Sequence, residues 1–210
     1  MSRMDSAPNG KENITNDPRR SGQVTRYHTW PRLREQSVAE HSWQVQRILL
    51  AIWPEAPLHM LVHALVHDIG EVATGDLPFP TKMKNPGLKK IMDDAEHSAH
   101  LSMCLRWGLP PPRFLLPDGE GAIFKLADYI EMWEWALDEI AFGNSLAVPV
   151  RERCYQQMMA IVPNLIPDIQ VHAMRYINRR IMNNGTHEVF ENSVGYRSGN
   201  IDQEGENISG

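Results

Sequence analysis

A chain of 210 residues with 42% hydrophobic content and a formal charge of −5 can bury one sizeable core, and its length favours a single domain. The acidic balance excludes a global attraction to nucleic acid or to an anionic membrane, so any anion-binding surface has to be local. No apolar stretch approaches the roughly 20 residues that span a bilayer, and the polar N-terminus lacks a signal-peptide core; a soluble, cytoplasmic protein is expected.

Residues 1–22 and 185–210 are polar, bear Pro and Gly and lack periodicity, which predicts disordered tails around one domain at 23–184. Between them apolar residues recur at helical spacing and no alternating β-branched run occurs. A short helix is expected at 24–35, followed by helices at 37–53, 58–70, 86–107, 120–143 and 148–183. The second starts after Pro57. The fourth, with Ile123, Leu126, Ala127, Ile130, Trp133, Trp135 and Leu137, is apolar enough to lie deep in a bundle. Pro163 and Pro167 must kink or split the last. The fold class is therefore all-α, a single-domain helical bundle. Cys104 and Cys154 stand alone in helical patterns, which points to free buried thiols rather than a disulfide or a thiolate zinc site.

The ionisable residues on these helices need a separate account. His59, His63 and His67 fall at i, i+4 and i+8 on one helix face, but the HExxH pattern of zinc proteases is absent. His59 and His63 are read as ordinary hydrogen-bonded histidines. His67 differs, because Asp68 follows it, and an imidazole with a carboxylate suits a divalent first-row metal. Two ligands do not make a site, so partners are required from elsewhere.

Three stretches, "AEHS" on one helix, "HDIGEVATGDLP" at the end of the next and "KLADYIE" on a later one, resemble the H…HD…D signature of the HD-domain metal-dependent phosphohydrolases. The resemblance spans about residues 24–180 and implies an HD-domain helical bundle with His41, His67, Asp68 and Asp128 as metal ligands. The "EVATGDLP" continuation is similar to the YfbR-like 5′-deoxynucleotidase branch and its phage relatives, the DatZ-type dATP triphosphohydrolases. It implies catalytic roles for Glu71 and Asp76, and a nucleotide pocket lined by "RYHTWP". The chemistry agrees: two His and two Asp leave coordination positions open for water and a phosphate oxygen. Glu71, one turn past His67, can act as general base or can protonate the leaving oxygen. Asp76 lies in a loop that can turn back over the site. The alternative for both is a solvated carboxylate at a helix end.

Phosphate hydrolysis also needs cations for the non-bridging oxygens. Arg26 precedes the first ligand helix, and Lys82, Lys84, Lys89 and Lys90 follow Asp76; this cluster is either a solvated surface or a grip on polyphosphate. A triphosphate carries about four negative charges against about two on a monophosphate, so the cluster favours a triphosphate. Trp30 is either a wall for a stacked base or an apolar staple on the bundle. The nucleotidase branch has an arginine where this chain has Thr29, which weighs against monophosphate binding in its manner, and Phe79 replaces a small polar residue and would narrow the pocket. Glu96 and His100, at i and i+4, are either a second metal or phosphate subsite or a polar helix face.

The expected function is hydrolysis of a small-molecule deoxynucleotide, foremost dATP to deoxyadenosine and triphosphate, depleting the dATP pool. The dATP preference rests on the resemblance alone. The alternatives are a 5′-deoxynucleotidase releasing phosphate and a nucleotide-binding HD sensor without catalysis. The donor set accommodates Co, Mn, Zn, Ni, Fe or Mg; no nucleic-acid partner is expected, and self-association into a homo-oligomer is.

Overall fold

The computed structural model describes residues 16–111, 116–117 and 119–183. Among these residues eight α-helices follow in order: α1 (Val38–Ile52), α2 (Leu58–Val66), α3 (Glu71–Thr74), α4 (Phe79–Lys84), α5 (Pro86–Trp107), α6 (Glu120–Ala141), α7 (Val148–Ile161) and α8 (Pro167–Asn183). Among the described residues there is no strand, only an isolated bridge between Thr25 and Ser37. No helix among them is long and apolar enough to cross a membrane.

The core forms around α6, as its composition predicts. Ile123, Leu126, Ala127, Ile130, Trp133 and Leu137 pack with Val45, Ile48, Leu49 and Ile52 of α1, Met60 and Ala64 of α2, Cys154 and Met158 of α7 and Ile169, Ala173 and Ile177 of α8. A smaller cluster of Val66, Ile69, Ala99 and Met103 fastens the end of α2 to α5. Pro163 and Pro167 split the last segment as expected: α7 passes through a 3-10 turn at Val162–Asn164 into α8. Cys104 and Cys154 are free; Cys154 is buried and Cys104 only half so.

Three expectations need correction. No helix forms at 24–35. Pro31 lacks an N–H and restricts the residue before it, and Tyr27 takes a left-handed φ of 55°. The segment instead closes as a loop through Arg26 N–H to Gln36 O (2.8 Å) and Val38 N–H to Val24 O (2.9 Å). Glu139 of α6 holds it by accepting from the N–H groups of Leu33 (2.8 Å) and Arg34 (2.9 Å), and Tyr27 stacks on Trp135 at 3.8 Å.

The expected N-terminal tail is structured from residue 16. Pro18–Gly22 form a 3-10 helix capped by Asp17, and Trp107 Nε1–H donates to Asn16 O at 3.0 Å. Residues 1–15 and 184–210 lie outside the described residues.

Finally, α2 stops at Val66 rather than residue 70. His67 Nδ1–H donates to the Ala64 carbonyl at 2.9 Å, an acceptor that a continuing α-helix gives to the Asp68 N–H. The chain tightens into i→i−3 turns, Ile69 to Val66 and Glu71 to Asp68. That break turns His67 and Asp68 toward α1 and α6.

Candidate metal centre

Ser37 caps α1 by accepting from the Glu40 N–H, which places His41 in the first turn, facing α6. His41 is fully buried. Its Nδ1–H donates to Glu131 Oε2 at 2.6 Å, as the His67 Nδ1–H donates to the Ala64 carbonyl. In the neutral tautomers that these bonds favour, both Nε2 atoms keep lone pairs, and they face each other at 3.3 Å. Asp128 Oδ1 lies 3.4 Å from His41 Nε2, and Asp68 Oδ2 lies 3.5 Å from His41 Nε2 and 3.1 Å from His67 Nε2.

Electron-rich atoms brought this close repel unless a proton or a metal cation lies between them. Donors about 2.0–2.2 Å from one zinc-sized ion in tetrahedral array stand roughly 3.3–3.6 Å apart, close to the separations of His41 from His67 (3.3 Å), Asp128 (3.4 Å) and Asp68 (3.5 Å). His41, His67 and Asp128 form a group able to hold a metal, and Asp68 extends it. The donor set thus fits a divalent metal.

The electrostatics agree. Burial and Arg26 oppose a charge on His41, but Glu131 and Asp128 outweigh them and push its pKa up to about 9. Surroundings that favour a proton there also favour a metal, and the two compete. Burial likewise opposes ionisation of Asp68, yet His67, Arg26 and His41 hold it well below the usual carboxylate range. Asp128 is held low against burial by His41 and Lys125.

Glu71 opens α3 one turn beyond His67 and is buried, 4% exposed. Burial first, then Asp68 and Asp76, push its pKa up to about 9. Gly75, at φ 76°, ends α3 in a conformation that glycine adopts without strain and turns the chain back so that Asp76 Oδ2 accepts from the Tyr27 N–H at 3.2 Å. Asp76 thereby ties this turn to the loop carrying Arg26, whose Nη1 donates to Asp68 Oδ2 at 2.9 Å.

The remaining candidates separate. Lys82 Nζ lies 3.8 Å from Glu71 and 3.5 Å from Glu96. Lys84 is exposed, Lys89 pairs with Asp93, and Lys90 pairs with Asp94 at 2.9 Å, so the solvated-surface reading holds for the latter two. Trp30 is 38% exposed; Tyr27, not Trp30, is the aromatic ring stacked on the bundle. The Phe79 side chain lies outside the described residues. Glu96 is occupied by Lys82 and Thr74. His59 binds Glu120 at 2.8 Å and His63 packs edge-on against Phe124 at 4.4 Å, both in structural roles.

Two residues escaped the sequence reading. Lys125 donates to Asp128 Oδ2 at 2.6 Å, and Glu131 holds His41. They lie three residues before and after Asp128, a helical spacing that was the available signal.

Gly70 joins the two halves of the site. A Cβ there would come 2.7 Å from the carbonyl carbon and 2.9 Å from Cα of Glu96, main-chain atoms of α5 that cannot rotate away. Gly70→Ala is expected to destabilise the protein by about 1–3 kcal/mol and to displace Glu71 from His67 and Asp68. Thermal unfolding together with metal-dependent turnover checks both effects.

A helical bundle that brings a histidine from one helix, an HD pair from the end of the next and an aspartate from a central helix to one point defines the HD-domain phosphohydrolases as its class. Within that class, the chain belongs to the YfbR-like 5′-deoxynucleotidase family, whose model matches residues 19–182. It is 31% identical over 173 residues to a 5′-deoxynucleotidase of Vibrio cholerae, covering 68% of this chain and 88% of that protein. It is 28% identical over 162 residues to a dATP triphosphohydrolase of Salmonella phage PMBT28, covering 70% and 79% respectively. The solved structure of the cyanophage S-2L HD phosphohydrolase DatZ, bound to dA and one catalytic Zn2+ ion, superposes with a TM-score of 0.61 at 23% identity, covering 79% of this chain and 95% of that one.

Proposed function

We propose that the chain is a metal-dependent phosphoric-ester hydrolase that splits dATP into deoxyadenosine and triphosphate. The observation that carries the hydrolase assignment is the convergence of His41, His67 and Asp128 into one group able to hold a metal, with Asp68 3.1–3.5 Å from the two histidines. A divalent cation held by these residues would lower the pKa of an attacking water and neutralise phosphoryl charge.

The chain's own residues supply the rest. Water attacks the α-phosphorus, the bond to the 5′-oxygen breaks, and that oxygen needs a proton to leave as deoxyadenosine. Glu71, kept protonated by burial, can give it and recover a proton from the attacking water. Arg26, Lys82 and Lys125 lie against Asp68, Glu71 and Asp128; Lys82 stands on α4 and Lys125 on α6, so phosphate oxygens can be met from two sides. That arrangement supports a triphosphate over a monophosphate. Exposed Trp30 offers an indole face to the base, worth on the order of 1–3 kcal/mol. The dATP preference is supported by the similarity to the dATP triphosphohydrolase of Salmonella phage PMBT28. Exposed Leu105 and Trp107 on α5 support self-association.

The test offers each dNTP and each dNMP separately, with Zn, Co or Mn, and resolves nucleoside, triphosphate and phosphate by chromatography. Deoxyadenosine with triphosphate from dATP alone supports the proposal. Phosphate from several dNMPs, with dNTPs untouched, replaces it by the 5′-deoxynucleotidase reading.

A further inference from the structure

We infer that Glu131 is a positioning residue of the metal centre. Oriented by Gln36, its carboxylate fixes the ring and tautomer of His41 so that Nε2 is presented to the cation. This rests on the proposed function, because it concerns the same centre.

The three side chains form a linear chain of contacts from Gln36 through Glu131 to His41. His41 Nδ1 donates to Glu131 Oε2 at 2.6 Å, and Gln36 Nε2 donates to Glu131 Oε1 at 2.5 Å. His41 is 0% exposed and Gln36 and Glu131 2% each, so water cannot substitute for any partner. With both carboxylate oxygens engaged, the glutamate cannot rotate, and the imidazole it holds has one tautomer and one orientation.

A carboxylate is a costly way to fill buried space. A neutral residue would fill it with less desolvation, so the charge calls for a counterpart, which a cation on the far side of the imidazole provides. A carboxylate behind a ligating imidazole also makes the ring a stronger donor.

The backbone places Gln36 as deliberately as Glu131. Arg26 N–H donates to Gln36 O at 2.8 Å, setting these two residues side by side. Arg26 then contacts Asp68 while Gln36 contacts Glu131. Glu131 lies one helical turn beyond Asp128 on α6, so one rigid helix carries both a ligand candidate and the support of another.

The experiment compares Glu131→Gln with the unmodified full chain. Zn2+ affinity is read by competition with a chromogenic chelator, and the Co2+-loaded proteins by their visible absorption. Glu131→Gln is expected to bind Zn2+ about 10–100-fold more weakly, to show an altered Co2+ spectrum, and to recover turnover at saturating metal with an unchanged KM. Gln36→Met, which leaves the glutamate charge in place, is expected to give a smaller loss in the same direction and guards against misfolding of the first variant. Equal Zn2+ affinity and an identical Co2+ spectrum in both variants overturn the inference while leaving the hydrolase reading intact. An unmodified protein that takes up neither metal overturns both.

Discussion

Asp68→Asn is expected to abolish tight metal binding and to lower kcat/KM by about 10³ or more, the several kcal/mol that a bound cation contributes to charge stabilisation. The substitution keeps the shape and removes the charge that lies 3.1 Å from His67, 3.5 Å from His41 and 2.9 Å from Arg26. A second effect separates this residue from a mere ligand. Arg26 is buried, and losing its anion leaves a guanidinium unpaired, a defect that costs about 3–5 kcal/mol in comparable settings. The variant should therefore melt below the unmodified protein even without metal. Combining it with Arg26→Met should recover part of that loss, since the two residues share one interaction and their effects do not add. Metal uptake and turnover at the unmodified level in Asp68→Asn would remove Asp68 from the centre. Loss of metal with nucleotide binding and biological function intact would favour the nucleotide sensor over the enzyme.

What was legible in the sequence follows from what is local. Helices α1 and α6 come from periodicity, because their apolar faces are continuous, while proline and glycine mark the bounds of α5 (Pro86 and Gly108) and the break before α8. The loop at 24–36 was misread because its stability is not local: it depends on Glu139, more than 100 residues away, and on the stacking of Tyr27 on Trp135. The end of α2 was misplaced because a ligand-candidate side chain takes a backbone acceptor from the helix, a competition that hydrophobic periodicity does not register. At the centre, the motif brought out the residues whose types are distinctive. Glu131 and Lys125 were overlooked because a glutamate and a lysine on a helix ordinarily face solvent; only the packing of α6 against α1 turns Glu131 inward. The lysine run shows the converse. Its sequence proximity to Asp76 suggested a common role, but the turn into α5 pairs Lys89 and Lys90 with carboxylates of their own helix and leaves Lys82 beside Glu71.

Glu71→Gln is expected to lower turnover by about 10²–10⁴-fold, the usual range for loss of a general acid or base, with little change in metal affinity, because Glu71 is not among the converging donors. The same change should raise the melting temperature of the metal-free protein. The sign follows from linkage. An unfolded glutamate titrates near 4.5, while burial and the Asp68 charge push Glu71 up to about 9 in the folded chain. Between these values the folded state holds the extra proton, so the stability linked to this group falls as pH rises across the window. Glutamine has no proton to lose, and its advantage over the native residue should grow from pH 5 to pH 9 and shrink when a cation is added. Thermal melts across that range, with and without Zn2+, measure the effect directly. The pH–rate profile then decides the role. A protonated Glu71 acting on the 5′-oxygen predicts activity that is lost on an alkaline limb missing from the variant, whereas a general base predicts activity that rises with pH as the carboxylate ionises. Greater stability with less activity in one substitution would mark Glu71 as a residue retained for its chemistry against the preference of the fold.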